Sequence, residues 1–410
     1  MKRLLRILML LLVRLLGAPG AWAATKRAKE PLSTTPRVLL IRPDHLGDLV
    51  LTTPVLRALK QYAPGAQITM MVGPWSAEIV ARHPDIDHVQ TCSFPGFQRA
   101  PQKALAPYIL LLTVAKQLRR SQYDLAINLR PDFWWGAALI YLARIPRRIG
   151  YALEPGKPFL TDALPFHSPE HATVSNLRLT SAALEALGHS PLEEPYSPER
   201  YPLQFIPKEE ERSWVTKRLS SKGIEAETPF VVIHPGTGAA VKLWRTEAWA
   251  RSADTLTKST LWPVPLHVIL TGSRNERPML EEIARNMSSP AIIVTDATVG
   301  QLAALLGRAQ LVLAVDNGPA HIAVAQGTPT VELFGPTDYR IFGPWGAEEK
   351  HVVLASTQRC PTCPAIPCGR LDFSSEELPA HPCVRLISEQ QVLAAIEKLC
   401  KTCHQIKNKN

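Results

Sequence analysis

The sequence of 410 residues has no short-period internal repeat, which excludes solenoid and propeller architectures. Its N-terminal tail also lacks a long apolar run, because the longest uninterrupted stretch there is Ile7 to Val13. A membrane-spanning helix needs roughly 20 consecutive apolar residues. The length favours two or more domains, and a hydrophobic fraction of 46% is enough for large folded cores.

The excess of positive over negative charge is small outside the tail, although the formal net charge of the chain is +10. Residues 1–36 contain seven lysines and arginines against one glutamate, so this segment carries most of the basic excess. A nucleic-acid-binding domain instead concentrates its basic residues on a folded surface. The distribution of charge therefore argues against a nucleic acid as a partner.

The dinucleotide-binding fingerprint is incomplete. The segment His234–Gly238 (HPGTG) follows a predicted strand, but Val241 stands where the third small residue of that fingerprint belongs. The next predicted strand, Leu266–Thr271, ends without the acidic residue that would hold a ribose. Both absences argue against a nicotinamide-dependent dehydrogenase. The two glycines still permit close approach of a ligand, and Thr237 and Lys242 are suited to holding phosphate oxygens.

The stretch Leu311–Gly335 contains a complete βαβ pattern. The apolar run Leu311–Val315 predicts a buried strand, and a second one, Thr330–Phe334, closes the unit. Between them, the polar turn Asp316–Gly318 leads into a helix that has Pro319 near its first position. Such a turn places backbone N–H groups and the positive end of a helix at the carboxyl edge of a parallel sheet. This arrangement suits a phosphate group.

Four polar side chains have both a functional and a structural interpretation. Asp316 and His321 can hydrogen-bond a ligand, or they can cap the helix and pack against the sheet. Glu276 can accept hydrogen bonds from ribose or sugar hydroxyls, or it can be a first-turn glutamate that the helix dipole favours. Asp48 follows a glycine after the first strand, where it is either a catalytic carboxylate or a helix N-cap.

Strands alternate with helices in two stretches, which predicts an α/β fold with two doubly wound parallel sheets. A Pro-rich connection at residues 189–207 separates these stretches. The predicted domains are a basic amphipathic tail and linker at residues 1–36, an N-terminal Rossmann-like domain at 37–205, a C-terminal Rossmann-like domain at 206–387 with a Cys-rich segment at 360–383, and a C-terminal helix and tail at 388–410.

The tail itself permits three interpretations. Lys2, Arg3, Arg6 and Arg14 fall on one side of a helical wheel, and leucine and methionine fill most of the remainder, as in a helix that lies on an anionic membrane surface. The sequence Ala21–Ala23 also resembles a signal-peptide cleavage site. The interfacial anchor is the preferred interpretation, and a cleaved signal and a membrane span stay open as alternatives.

Four of the seven cysteines, Cys360, Cys363, Cys368 and Cys383, cluster before the last predicted helix. Their short spacings permit a zinc site, but the gap to Cys383 is loose for a standard finger. Free structural thiols, a bound metal and disulfides are therefore all open. Redox catalysis is disfavoured, because the Cys-x-x-Cys pair lies in a Pro-rich loop without a thioredoxin-like context.

Several segments match a family pattern in combination. They are LGDLVLTTPVLRALK after the first strand, HPG followed by K-x-W, G-x-x-x-E, VDNGPAHIAVAQGTPTVELFGPT and the cysteine run. Together they resemble the heptosyltransferase family of glycosyltransferases (family 9), from about Arg37 to Leu399. The resemblance implies the GT-B architecture, in which two Rossmann-like domains face each other across a cleft. It also implies metal-independent, inverting transfer of heptose or a related sugar from a nucleotide donor, typically ADP-heptose, to a lipopolysaccharide acceptor.

The resemblance also implies a role for each matching residue. Asp48 corresponds to the catalytic base. The residues implied to bind the donor are Thr237 and Lys242 at the phosphates, Glu276 on the nucleoside side, and Asp316, Gly318 and His321 in the loop for sugar and diphosphate. Asn317 departs from the pattern, since better-known members have threonine there, and this leaves the donor less certain. His171 and Asn176 match a recurrent helix without an assigned role. No metal ligand and no cofactor are predicted for catalysis.

The implied chemistry is physically consistent. A sugar hydroxyl is a weak nucleophile near neutral pH, so a carboxylate must accept its proton during attack on the anomeric carbon. The departing diphosphate gains charge that a lysine and a helix N-terminus can stabilise. The family places such an enzyme in the cytoplasm, peripheral on the inner face of the membrane. A nucleotide-sugar epimerase and a non-catalytic sugar-nucleotide or glycan-binding protein are the alternative functions.

Overall fold

The computed structural model describes residues 2–30, 33–97, 103–259, 264 and 266–407. The chain divides into two compact units, Met1–Tyr196 and Ser197–Asn410. The predicted boundary at residues 205 and 206 lies slightly later in the chain. Part of the loop predicted from Pro95 to Pro107, and the end of the predicted C-terminal tail, lie outside the described residues.

The first unit contains one parallel six-stranded sheet. Its strands are β1 (Arg37–Arg42), β2 (Gln67–Val72), β3 (His88–Thr91), β4 (Leu125–Asn128), β5 (Arg147–Tyr151) and β6 (Asp162–Leu164). Its helices are α1 (Lys2–Arg27), α2 (Leu46–Val50), α3 (Thr53–Tyr62), α4 (Ala77–Ala81), α5 (Ala106–Ser121), α6 (Trp134–Leu142) and α7 (Ala172–Ala186). The strand order is β3-β2-β1-β4-β5-β6, which is the Rossmann order, with its switch point between β1 and β4.

The second unit repeats this design. Its strands are β7 (Phe230–His234), β8 (His267–Thr271), β9 (Ala291–Val294), β10 (Leu311–Val315), β11 (Thr330–Phe334) and β12 (His351–Ala355). Its helices are α8 (Glu209–Ser220), α9 (Thr246–Thr257), α10 (Arg277–Asn286), α11 (Val299–Arg308), α12 (Gly318–Ala325), α13 (Tyr339–Phe342) and α14 (Glu389–Lys407). The order β12-β11-β10-β7-β8-β9 places the switch point between β10 and β7. The doubly wound α/β fold is thereby confirmed in both units.

The central strands are largely apolar because helices cover both faces of each sheet. Every residue of β7, β10 and β11 is buried. The two short strands β6 and β12 were not predicted. All five residues of β12 are only half-buried, because β12 lies at the edge of its sheet.

Helix α1 packs on the first unit rather than standing apart from it. Its buried residues Leu10, Val13 and Ala21 belong to the core that includes α6. The Tyr141 hydroxyl donates to the Arg14 carbonyl at 2.8 Å. The stretch Arg6–Arg27 is long and apolar enough to cross a membrane by length and composition. Length and composition therefore permit the membrane span that the sequence left open as an alternative, since a single helix continues through Arg14.

Candidate active site

The predicted site residues lie at the carboxyl ends of strands beside the two switch points, each within its own unit. Asp48 follows β1 in the first sheet. Lys242 follows β7, and Asp316 and Asn317 follow β10 in the second sheet. Open α/β sheets bind their ligands at such positions because loops diverge there and leave a crevice.

A charged network surrounds the end of β1. The buried Arg42 forms an ion pair with the buried Asp44, with Nε and Oδ2 2.7 Å apart. Arg130 donates to the other oxygen of Asp44. Arg42 also reaches Asp48, with its Nη2 3.4 Å from Oδ1. Asp44 is therefore neutralised by two guanidinium groups, whereas Asp48 has a longer contact with the guanidinium that it shares with Asp44.

Asp48 lies in the first turn of α2, and its side chain is 29% exposed, against 2% for Asp44. Its backbone is fixed by the Thr52 hydroxyl, which donates to the Asp48 carbonyl at 2.7 Å. Partial exposure lets the carboxylate meet a substrate hydroxyl, and the nearby Arg42 favours its ionised form. These are the properties required of a general base.

Asn176 in α7 connects this network to the helix pair α2 and α3. Its amide nitrogen donates to the Thr52 hydroxyl at 3.2 Å, and its amide oxygen accepts from Arg42 at 3.1 Å. His171 caps the same helix, its ring accepting from the Thr173 N–H. Asn176 therefore positions both Arg42 and the turn that carries Asp48, a role that the sequence pattern did not reveal.

Lys242 and Asp316 form the central pair of the second unit. The Lys242 Nζ lies 2.8 Å from Asp316 Oδ2 and 3.2 Å from the Asp316 carbonyl. The Thr337 hydroxyl also donates to Oδ2. The side chains of Lys242 and Asp316 are 14% and 9% exposed, so this ion pair is largely desolvated. Thr337, which follows β11, is a site residue that the sequence analysis did not single out.

Asn317 connects the two loops of this edge. Its side-chain oxygen accepts from the Ala320 N–H at 3.0 Å and caps α12. Its amide nitrogen donates to the carbonyls of His234 and Gly236 at 3.2 and 2.8 Å. Asn317 thus holds the start of α12 against the loop that follows β7. Better-known family members have a threonine hydroxyl at this position. Here the side chain is an amide that makes three hydrogen bonds within the protein.

Glu276 lies beside the same loop. Its Oε2 accepts from the Ser273 N–H at 2.6 Å and from the Ser273 hydroxyl at 2.8 Å, which forms a capping box. Gly236 and the Glu276 carboxylate approach closely, so a side chain at position 236 would displace that carboxylate. Burial lowers the pKa of His234, at the end of β7, to about 4, which keeps that ring neutral near pH 7.

Two further polar groups are buried behind the loop. His321 in α12 is 4% exposed, and Glu332 in β11 is fully buried. The Thr330 hydroxyl hydrogen-bonds Glu332 at 2.9 Å. Burial, together with the charge of Asp316, raises the pKa of Glu332 to about 8, and the hydrogen bond from Thr330 acts in the opposite direction. Glu332 was not predicted, although a lone carboxylate within the apolar strand TVELF was a visible signal.

The remaining predicted donor residues frame this edge. Thr237 is half-buried in the loop after β7, and the neighbouring Gly238 is open to approach. Gly318 is the first residue of α12. A helix N-terminus, a lysine and glycine-rich backbone therefore converge at one sheet edge, which can bind a diphosphate. In the second unit, described contacts join Lys242 to Asp316 and Asn317 to the loop after β7, and Glu276 lies against Gly236 of that loop.

Two Rossmann-like units with a carboxylate at one switch point and an anion-binding edge at the other define a glycosyltransferase of the GT-B class. A family model for glycosyltransferase family 9 (heptosyltransferase) matches residues 111–368. The chain therefore belongs to this family.

Similar proteins agree with this assignment. Lipopolysaccharide heptosyltransferase 3 of Escherichia coli K12 is 28% identical over 367 residues, covering 86% of this chain and 95% of that protein. A solved family 9 glycosyltransferase from Veillonella parvula aligns with a TM-score of 0.71 at 24% identity, covering 90% of this chain and 98% of the other. The structure of E. coli ADP-heptose lps heptosyltransferase II aligns with a TM-score of 0.66 at 20% identity, with 90% and 99% covered.

Proposed function

We propose that this protein transfers heptose from ADP-heptose to a sugar hydroxyl of a lipopolysaccharide-type acceptor, with inversion at the anomeric carbon. Membership of family 9 supports the reaction class. The names of the similar E. coli proteins support the donor and the acceptor. The Lys242–Asp316 pair beside the start of α12 is the observation that carries the proposal, because it holds an ammonium group next to a helix N-terminus, where a diphosphate can bind.

In this mechanism Asp48 is the general base. The acceptor hydroxyl attacks the anomeric carbon and transfers its proton to the Asp48 carboxylate, while the bond from that carbon to the diphosphate oxygen breaks. Arg42 lies within ion-pair distance of the Asp48 carboxylate, and Thr52 fixes the turn that carries it. A positioned base typically contributes about 10²- to 10⁴-fold to the rate.

Lys242 and the first turn of α12 stabilise the leaving ADP. The charge that develops on the departing oxygen is met by an ammonium group and a helix N-terminus, both fixed before reaction. Asp316 orients Lys242 in the free protein, and the Thr337 hydroxyl hydrogen-bonds the same carboxylate oxygen. Thr237 holds further phosphate oxygens, and Glu276 lies on the nucleoside side.

We further propose that α1 holds the enzyme on the inner face of the cytoplasmic membrane without spanning it. The outward face of α1 carries Leu8, Leu11, Leu12, Leu15 and Leu16, each at least 47% exposed. The opposite face is packed on the first unit along its length, from Leu10 to Ala24. A span would require α1 to leave this packing, whereas an interfacial helix keeps it.

Helix α5 extends the same apolar surface. Leu105, Ile109 and Leu112 are 53%, 63% and 59% exposed and lie on one helical face. The charge of Arg6 in α1 acts on the Tyr108 hydroxyl in α5, so the starts of the two helices are near each other. A surface formed by two helices anchors more apolar area than α1 alone.

The reaction is tested by following ADP release from ADP-heptose with a heptose-deficient lipopolysaccharide acceptor. A transferase releases ADP only when acceptor is present, apart from slow hydrolysis. Conversion of the nucleotide-sugar without acceptor would indicate an epimerase. Tight donor binding without turnover on any acceptor would indicate a binding protein. The same assay with ADP-glucose and UDP-sugars determines whether this protein, which has Asn317 in place of threonine, uses a different donor.

A further inference from the structure

A cluster of thiols and one imidazole lies in the irregular segment between β12 and α14. Ligand atoms of Cys360, Cys363 and His381 all lie within 4.8 Å of one another, and the three residues are buried. The Cys363 Sγ is 3.3 Å from the His381 Nδ1. The cluster belongs to the second unit, but none of the roles assigned above uses it.

Two more cysteines complete the cluster. Cys383 is 2% exposed and interacts with both Cys360 and Cys368. Cys368 is half-buried and also interacts with Cys363. All six cysteines whose side chains the structure describes carry free thiols rather than disulfides. Four thiols and one imidazole are therefore available as ligands. A tetrahedral ion needs four.

We propose that this cluster binds one thiophilic transition-metal ion of the zinc class in a tetrahedral site. Cys360, Cys363 and His381 supply three ligands, and Cys383 supplies the fourth. At metal bond lengths of about 2.3 Å to sulfur and about 2.0–2.1 Å to nitrogen, tetrahedral ligand atoms lie about 3.5–3.8 Å apart. The distances observed within the cluster are compatible with this spacing after small side-chain rotations.

The surroundings of His381 favour this arrangement. The Thr362 hydroxyl is 3.4 Å from Nε2, so a hydrogen bond on that side leaves Nδ1 directed toward Cys363. The ring of Phe373 stacks on His381, with centroids 3.8 Å apart. A metal-bound histidine commonly makes a hydrogen bond through its second ring nitrogen, as Nε2 does here with the Thr362 hydroxyl.

The ion would support the donor edge without taking part in the reaction. Cys383 lies against Gly335, where an added side chain would touch its Sγ and the Val384 side chain. The Gly369 N–H donates to the Pro336 carbonyl at 2.7 Å. Thr337, which contacts Asp316, comes next in the chain. The bound ion would therefore hold in place the segment that positions Thr337. This segment packs on a loop with little regular secondary structure.

The test is the metal content of the full-length protein, purified with reductant and without chelator. We expect about one zinc or iron ion per chain, and iron is distinguished by its thiolate absorption. Cys360→Ser/Cys363→Ser should lower the content at least about tenfold, while the matched control Cys92→Ser, at a buried thiol in the other unit, retains it. Metal content unchanged in the double variant would overturn the proposal.

A second measurement does not depend on the folding of variants. Removing the ion from wild-type protein with a strong chelator should lower the Tm, and adding Zn²⁺ back should restore it, because the ion binds only the folded state. Replacement by Co²⁺ should give the intense visible bands of a tetrahedral thiolate site. Wild-type protein that takes up no metal after incubation with Zn²⁺, Co²⁺ or Fe²⁺ would refute the site. ADP release measured in parallel distinguishes this failure from failure of the proposed function.

Discussion

Lys242→Ala should damage both donor binding and the stability of the second unit. A charge-assisted contact to a diphosphate contributes about 1.5–3 kcal/mol, which corresponds to about ten- to a hundredfold in affinity. The sequence pattern alone indicated little effect on the fold. The structure changes that expectation, because Lys242 is the cation paired with the largely buried Asp316.

Removing the lysine leaves the Thr337 hydroxyl as the side-chain partner of Asp316 among the described residues. Breaking one half of a buried pair costs about 3–5 kcal/mol, and the partial exposure here places the expected loss toward or below the lower end. Lys242→Ala/Asp316→Asn removes both charges. The double variant should therefore recover much of the stability lost in the single variant, but none of the affinity for ADP.

The assays are calorimetric titration with ADP and urea unfolding of the single and double variants. Arg251→Ala is a suitable control, because Arg251 is exposed and its ion pair with Glu389 joins α9 to α14 rather than the donor loops. Dissociation constants that stay at the wild-type value for every nucleotide would remove Lys242 from the site. They would also weaken the assignment of the second unit as the donor domain.

Three further outcomes follow from the structure. Asp48→Asn should keep ADP affinity and lower turnover about 10²- to 10⁴-fold; turnover within a few-fold of wild type would make Asp48 a structural residue. Leu11→Ser/Leu15→Ser/Leu16→Ser should reduce flotation with anionic vesicles, and undiminished flotation would contradict anchoring through α1. Because burial raises the pKa of Glu332 from 4.5 to about 8, its contribution to stability is lost as pH rises through this interval. Glu332→Gln should therefore make the free energy of unfolding, measured with urea, depend less on pH between these values. A pH dependence identical to that of wild type would contradict the raised pKa.

The fold was predictable because the central strands have a clear pattern in the sequence. Leu311–Val315 and Phe230–His234 are apolar runs ended by polar turns, and both are strands with those bounds. The edge strand β12 was missed because its residues are half-buried and β-strand patterning is weak where one side of the strand is unpaired.

The site was predictable only in part, for a physical reason. Asp316 stands directly after a strand, and Asp48 and Lys242 lie in the turns that follow strands, so sequence order alone indicates the sheet edge. The contributions of Asn176 and Thr337 depend on tertiary contacts with residues far away in the chain. Propensity and periodicity describe local segments, so they contain no information about which distant side chain a hydrogen bond will reach.

The three hydrogen bonds of Asn317 have an evolutionary consequence. Its amide fixes Ala320 in α12 and the carbonyls of His234 and Gly236 in the loop after β7. A threonine introduced here would cap α12 but would have no second donor for those carbonyls. Position 317 should therefore show epistasis with the β7 loop: a change tolerated on one background would be deleterious on another. Lineages carrying asparagine and lineages carrying threonine at this position would then exchange the residue only together with compensating changes near Gly236.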